Sequence, residues 1–309
     1  MVYKFTLKPK GPVGTPFRSD TLFGHACWTM RLKYGKEEFE SFMEDARNQQ
    51  PQLVFSDGFP RDHLPMPILP TAANPVDSLE QIKRTKKLKT MRWIKKEVAE
   101  KNRWKITEKI LPEKLIDIPD QMPKGVAQMH NIIDRITGTA LEKHGIYSVV
   151  SEWYDGIWKE VDIYVYSSSW TRDQLDVFVE RMFRTGYGRD QTVGKGAVEV
   201  CSPVTETELP AKEKSHFFMS LSRCVPDSSV DLERSCYRLI SKYGKVWQML
   251  ETVNPFKKPI LQTEPGSVFF CSEQRDLYGT VLTDMHDDMP VVENCMTIPW
   301  FIPEEVCNV

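Results

Sequence analysis

Long apolar runs are missing from this sequence. No stretch approaches the roughly 18 residues of a membrane-spanning helix, so no membrane partner is expected. The opening Met1-Val2-Tyr3-Lys4-Phe5-Thr6-Leu7-Lys8 lacks the apolar core of a secretory signal. Glycine is scarce, at 16 against 21 prolines, so many connections should be stiff. The seven cysteines are odd in number, scattered, and never spaced as CxxC. That pattern predicts reduced thiols in a cytoplasmic protein, with neither a disulfide framework nor a structural zinc site. No GxSxG, HExxH or paired-carboxylate signature occurs, and no motif calls for a metal or cofactor. A large net charge is also absent. With 41 basic and 43 acidic residues the balance is −2, which excludes a uniformly basic nucleic-acid binder but leaves room for a local patch.

What remains is a soluble, globular composition, 40% apolar and 27% charged. At roughly 150 residues per domain, 309 residues predict two domains. Val2 to Lys8 alternates as a short strand. Leu22, Phe23, Ala26, Cys27, Met30 and Tyr34 recur at helical spacing after the N-cap residue types Ser19 and Asp20, with Gly35 as the stop. Glu37 to Arg47 forms a second helix. Ile146 to Tyr154 and Val161 to Tyr166 read as strands, and Asp155-Gly156 between them is a hairpin signal. Leu175, Phe178, Val179, Met182 and Phe183 share one face of a further helix, and a strand follows near Ala197. The order is β-α-β-β-α-β, a ferredoxin-like or RRM-like unit over residues 1–205, with about 36–140 inserted. A second small α+β domain is expected over 206–309, giving an α+β fold of two such domains in tandem.

Two segments carry candidate chemistry. The loop Gly186-Tyr187-Gly188-Arg189-Asp190-Gln191-Thr192-Val193-Gly194-Lys195-Gly196 alternates glycines with cations, a pattern suited to a phosphate backbone. It is not a nucleotide-binding P-loop. Five residues rather than four separate Gly188 from Gly194-Lys195, Gly196 replaces the hydroxyl residue, and the loop runs from helix to strand. A plain connection is the alternative. The insert segment 80–114 holds thirteen Lys or Arg and five Glu, a surplus of +8 in a chain of −2. Leu88, Met91, Ile94 and Val98 predict a thin apolar stripe on a helix there. Lys87, Arg92, Lys96 and Arg103 with Trp93 and Trp104 suggest phosphate neutralisation and base stacking. A partner-protein surface, or a solvated helix with buried tryptophans, are the other readings. His25 and His130 are candidate bases of a metal-independent ribonuclease, or structural side chains.

Phe17-Arg18-Ser19-Asp20-Thr21-Leu22-Phe23-Gly24-His25-Ala26-Cys27-Trp28 resembles the N-terminal motif of the RAMP superfamily of CRISPR proteins. It is most similar to the subunit that caps the 5′ handle of crRNA in the type III-A effector, the Csm complex (its subunit four). Leu53 to Pro60 followed by Leu64 to Pro70, Asn131 to Gly138, the loop Gly186 to Gly196, and Thr297 to Pro303 resemble later family segments in the family's order. The resemblance implies two RRM-like domains and a non-catalytic role in RNA-guided antiviral defence. It implies contact with the crRNA 5′ handle, a guide–target RNA duplex nearby, the large polymerase-like subunit, and a RAMP backbone subunit. Arg18, Ser19, His25, Arg135, Gly186, Tyr187, Gly188, Arg189, Gly194, Lys195 and Gly196 are the implied RNA contacts, with Arg189 and Lys195 foremost. The basic insert is the candidate for a thumb that wedges into the duplex. The alternatives are a crRNA-processing endoribonuclease with a histidine base, and the equivalent subunit of a type III-B complex.

Overall fold

The computed structural model describes residues 1–70, 78–106, 122–141, 145–210, 215–246 and 254–307. In chain order the elements are β1 (Val2–Pro9), α1 (Ser19–Lys33), α2 (Lys36–Arg47), β2 (Leu53–Phe55), β3 (Phe59–Pro60), β4 (His63–Pro65), α3 (Leu79–Thr90), β5 (Trp93–Lys95), α4 (Lys96–Lys101), β6 (Lys124–Asn131), β7 (Ile146–Trp153), β8 (Val161–Ser167), α5 (Arg172–Phe183) and β9 (Val198–Glu206). The C-terminal half adds β10 (Phe217–Ser220), β11 (Val230–Cys236), β12 (Leu239–Lys242), β13 (Ile260–Thr263), β14 (Val268–Cys271), β15 (Tyr278–Leu282), β16 (Glu293–Thr297), β17 (Pro299–Phe301) and α6 (Glu304–Cys307). The fold is mixed α+β, as expected.

The first sheet runs β2-β8-β1-β9, with β3 also on β8, and its pairs are antiparallel. Its register sorts the side chains. Tyr3, Phe5 and Leu7 stand opposite Val165, Ile163 and Val161, while Lys4 and Thr6 stand opposite Tyr164 and Asp162. The apolar row faces the helices, where Phe5 meets Phe183 of α5 at 6.1 Å. Leu175, Phe178, Val179, Met182 and Phe183 are all buried there, and Thr171 opens α5 with a capping box through Gln174. The opposite face is covered too. Asp162 is fully buried and accepts from Thr6 Oγ1 at 2.7 Å and Lys4 Nζ at 3.1 Å. Tyr164 packs against Trp300 and Phe59, so it offers no stacking platform.

The second sheet runs β11-β14-β10-β17. Numbered within each half, both sheets have the same order: second, third, first, fourth strand. The second half has no long helix among the described residues; ribbons β12-β13 and β15-β16 accompany its sheet instead. One apolar cluster spans both halves, taking in Phe5, Phe23 and Phe178 together with Met219, Val268, Ile298 and Trp300.

Three expectations are corrected. The strand Ile146–Trp153 does not pair with β8. It pairs along its full length with β6 as a separate ribbon, and Asp155 instead opens a 3-10 turn over Gly156–Trp158. The reason is Trp158, drawn into the core beside Trp93 at 5.2 Å, while the buried Leu53–Phe55 takes the place beside β8. Between β3 and β8 the chain runs through β4, α3, β5, α4, β6 and β7. The basic segment is not one helix either: α3 ends at Thr90 and Trp93–Lys95 pairs with His63–Pro65, because Trp93 and Ile94 bury better as a strand. Residues 107–114 of that segment lie outside the described residues. Finally, Ser19 and Asp20 do not cap α1. Asp57 does so from across the fold, accepting from Ser19 N at 2.9 Å.

A buried charge cluster joins the halves. Asp20 on α1 pairs with Lys242 on β12 at 2.5 Å; Lys242 also pairs with Glu293 on β16, which holds Lys257 at 2.5 Å. Burial pushes the Asp20 carboxyl up, but Lys242 outweighs it and holds the group below its ordinary range. A carboxylate depressed in this way stabilises the fold above its unfolded pKa, and that contribution fades as pH falls through the folded value. Lys242→Met leaves the buried Asp20 carboxylate without its cation, while Glu293 keeps Lys257, and is expected to cost about 3–5 kcal/mol. The deficit should be full at neutral pH and shrink below about pH 4, where the unfolded carboxylates protonate. Urea unfolding of both proteins across this pH range checks it; a pH-independent deficit contradicts it.

Candidate nucleic-acid interface

The glycine-rich loop is folded onto the N-terminal loop after β1. Gly196 N donates to the Pro12 carbonyl and Tyr187 N to the Gly196 carbonyl, both at 2.8 Å. Tyr187 is fully buried, donates its hydroxyl to the Pro16 carbonyl at 2.9 Å and stacks on Phe17 at 4.7 Å. The glycines are required by this packing. At Gly196, with φ +68°, a Cβ would sit 1.9 Å from the Tyr187 carbonyl oxygen; at Gly188, with φ +75°, it would sit 2.8 Å from Thr15 Cβ. Gly194, at φ +89°, needs its conformation but borders open space. Tyr187 is thus a core residue and not a stacking partner for a base.

The two foremost cations are placed differently from one another. Lys195 is buried and donates to Asp190 Oδ2 at 3.2 Å, so it closes the loop and is not a free phosphate ligand. Arg189 is half exposed. Its backbone N–H donates to Thr15 Oγ1 at 3.0 Å, and its guanidinium reaches the Val150 carbonyl on β7 at 2.8 Å. It therefore joins loop and ribbon while keeping part of its fork toward solvent.

Arg18 and Ser19 are structural at their base. Arg18 Nη1 donates to the buried Asp57 carboxylate at 2.9 Å. Burial disfavours the Arg18 charge, yet Asp57 more than offsets this and holds the guanidinium above its ordinary value. Ser19 is buried, out of reach of an RNA strand. His25 donates Nε2–H to the Met182 carbonyl at 2.7 Å and packs edge-on to Tyr187. Burial keeps its pKa below the ordinary value, against the raising effect of the Met182 and Gly186 carbonyls. It is a bracket between α1 and α5, which corrects both its RNA-contact and its catalytic-base readings. His130 is exposed on β6, stacked on Tyr147 at 5.4 Å. Among the described residues, no group of three or more His, Cys, Asp or Glu is arranged to hold a metal.

Sequence reasoning passed over Arg223. It is part-buried beside the Arg18–Asp57 pair, its Nε has no hydrogen-bond partner, and burial together with the like charge of Arg18 lowers its pKa. A cation in that position favours an incoming anion. Nothing in its local sequence marks it, because its neighbours come from the other half of the chain.

The ribbon β6-β7 projects from the insert. Asn131 to Gly138 forms its tip, where Asp134 Oδ1 accepts from Ile136 N at 2.7 Å and Arg135 is exposed. Met129, Ile133, Ile136, Ile146, Val150 and Trp153 are all exposed along it. So extended an apolar surface marks an interaction site. In the basic segment Trp93 and Trp104 are buried, which corrects their stacking role. Arg103 and Lys105 pair with Glu305 on α6 at 3.7 and 3.1 Å, and the Lys96 ammonium lies 5.0 Å from the Trp300 ring centre. Lys87 and Arg92 are exposed.

No family model and no curated protein matches the sequence. In fold, the chain is similar to a chain in the crystal structure of a Csm1-Csm4 cassette in complex with cA4, at 17% identity over 98% of each chain and a TM-score of 0.60. The same cassette in complex with pppApA aligns at 17% identity over 98% of each chain, with a TM-score of 0.59. A Csm3-Csm4 subcomplex of the type III-A CRISPR-Cas interference complex aligns at 15% identity over 97% of this chain and 100% of that one, with a TM-score of 0.56. The fold class is therefore that of subunits found in type III-A CRISPR assemblies. Csm4 is the component that the two kinds of assembly share, and the likeness in fold covers nearly the whole chain.

The loop geometry separates its glycines. Gly196→Ala combines a left-handed strain of roughly 1–2 kcal/mol with a direct overlap, whereas Gly194→Ala meets the strain alone. Thermal unfolding should show Gly196→Ala clearly less stable than Gly194→Ala; equal losses would mean that the loop does not pack on Pro12–Thr15 as described.

Proposed function

We propose that this chain is a non-catalytic RNA-binding subunit of a cytoplasmic type III-A CRISPR effector. In this reading it caps the 5′ handle of crRNA and bridges the large polymerase-like subunit to the RAMP backbone. The observation that carries it is the fold shared over 97–98% of this chain with chains from both a Csm1-Csm4 cassette and a Csm3-Csm4 subcomplex. A bridging subunit has two such neighbours. The matching strand order of the two sheets supports reading the C-terminal half as a second ferredoxin-like unit whose helices are replaced by ribbons and loops.

The handle would lie along the glycine loop and the N-terminus of α1, between Arg189, which reaches Thr15 and Val150, and the neighbouring Arg18 and Arg223. Loop and helix start are held rigid by buried contacts, so phosphates meet a preformed surface. The exposed apolar ribbon fits a wedge against a guide–target duplex or a neighbouring subunit, with Arg135 at its tip. Chemistry on RNA is left to other subunits, since His25 is committed to packing.

An RNA carrying the host's crRNA 5′ tag should bind the purified chain more tightly than the same RNA with a scrambled tag. Arg189→Gln should lower the slope of log affinity against log salt by about 0.7, one single-strand phosphate contact. Equal affinity for tagged and scrambled RNA would overturn handle recognition.

A further inference from the structure

Helix α3 carries a charge arrangement that neither the handle nor the ribbon uses. From Leu79 to Lys96 the chain holds eight Lys or Arg and a single Glu, a surplus of +7. On a helix of 3.6 residues per turn, Lys83, Lys86 and Lys89 form an i, i+3, i+6 ridge with a rise of about 4.5 Å per step. Leu88 lies about half a turn round from Lys86 and packs against the core, so the ridge faces solvent. All three lysines are exposed, and among the described residues no acidic side chain pairs with them. Like charges three residues apart weaken a helix, so an anion bound along the ridge would relieve their repulsion. The other cations nearby are answered internally: Arg103 and Lys105 by Glu305, and Lys96 by Glu100.

We infer that the outward ridge of α3 is a second nucleic-acid surface, one that holds a phosphodiester strand without reading its sequence. The regular ammonium spacing suits successive phosphates. The tryptophans that would have stacked on bases, Trp93 and Trp104, are buried, so the contact is with backbone alone. This inference rests on the RNA-binding part of the proposed function and is separate from handle recognition. An acidic polypeptide is the competing occupant. RNA is favoured because the proposed function already brings a strand to this chain, and because the ridge repeats its ammonium groups at a regular step, as a phosphodiester backbone repeats its charges.

The test compares the full chain with its K83Q/K86Q/K89Q variant, in which Gln preserves helix propensity. The probe is a labelled oligouridine without any handle sequence, titrated across a salt series. The inference expects oligouridine and oligoadenosine to bind alike, and the variant's salt slope to fall by about 2, three single-strand phosphates at roughly 0.7 each. Its far-UV circular dichroism and its preference for tagged over scrambled handle RNA should be unchanged. An unaltered slope and affinity in the variant would overturn the inference, as would tighter binding of polyglutamate than of oligouridine. The two readings fail separately: loss of handle preference in the unmodified chain sinks capping alone, and an unaltered slope with handle preference intact sinks the ridge alone.

Discussion

Asp57 ties the molecule together. Its fully buried carboxylate accepts from Arg18 and from the first amide of α1, and its own backbone N–H donates to the Leu221 carbonyl in the C-terminal half. A buried charge is tolerated only when it is paired and hydrogen-bonded, and this one is. It fixes the start of α1 against the β2-β3 connection and against the second half at once. The Asp20–Lys242–Glu293–Lys257 cluster repeats the device one residue further along the helix. The consequence is a rigid junction at which the N-terminal loop, the glycine loop and Arg223 meet.

That rigidity changes what the glycine loop does. Its glycines allow the loop to pack on Pro12 to Phe17, and only part of its surface faces solvent. Lys195 and Tyr187 are spent on holding it. Arg189 remains half exposed, at the point where the loop touches the ribbon. Under the proposed function this arrangement would serve as a preformed anion-binding surface, since its donors are ordered before a ligand arrives. The exposed apolar ribbon and the exposed Lys83, Lys86 and Lys89 of α3 are surfaces of a different kind, one apolar and one cationic.

Local periodicity made β1, α1, α2, α5 and β9 legible, because each buries one face and keeps the other polar or charged. The ribbon β6-β7 was half legible: Ile146–Trp153 is strand-like in composition, but its partner Lys124–Asn131 is not apolar, and pairing is set by tertiary competition for the edge of the sheet. The short β2 was invisible as a strand, since three residues carry no period. In the site, the glycines and Arg189 were visible from composition. The commitment of Lys195 to Asp190 and of His25 to the Met182 carbonyl depends on contacts with residues five and 157 positions away. Arg223 was missed for the same reason. Trp93 and Trp104 misled, because a tryptophan in a basic segment reads alike whether it is buried or stacked.

The central claim is that the chain sits at the 5′ end of a guide RNA between two kinds of subunit. Purification of the tagged chain from its native host, with sequencing of bound RNA and mass spectrometry of bound protein, tests it most directly. Short guide RNAs sharing one 5′ tag, together with a large polymerase-like subunit and a RAMP backbone subunit, are the result the account predicts. A chain recovered without such RNA and without those partners would contradict it.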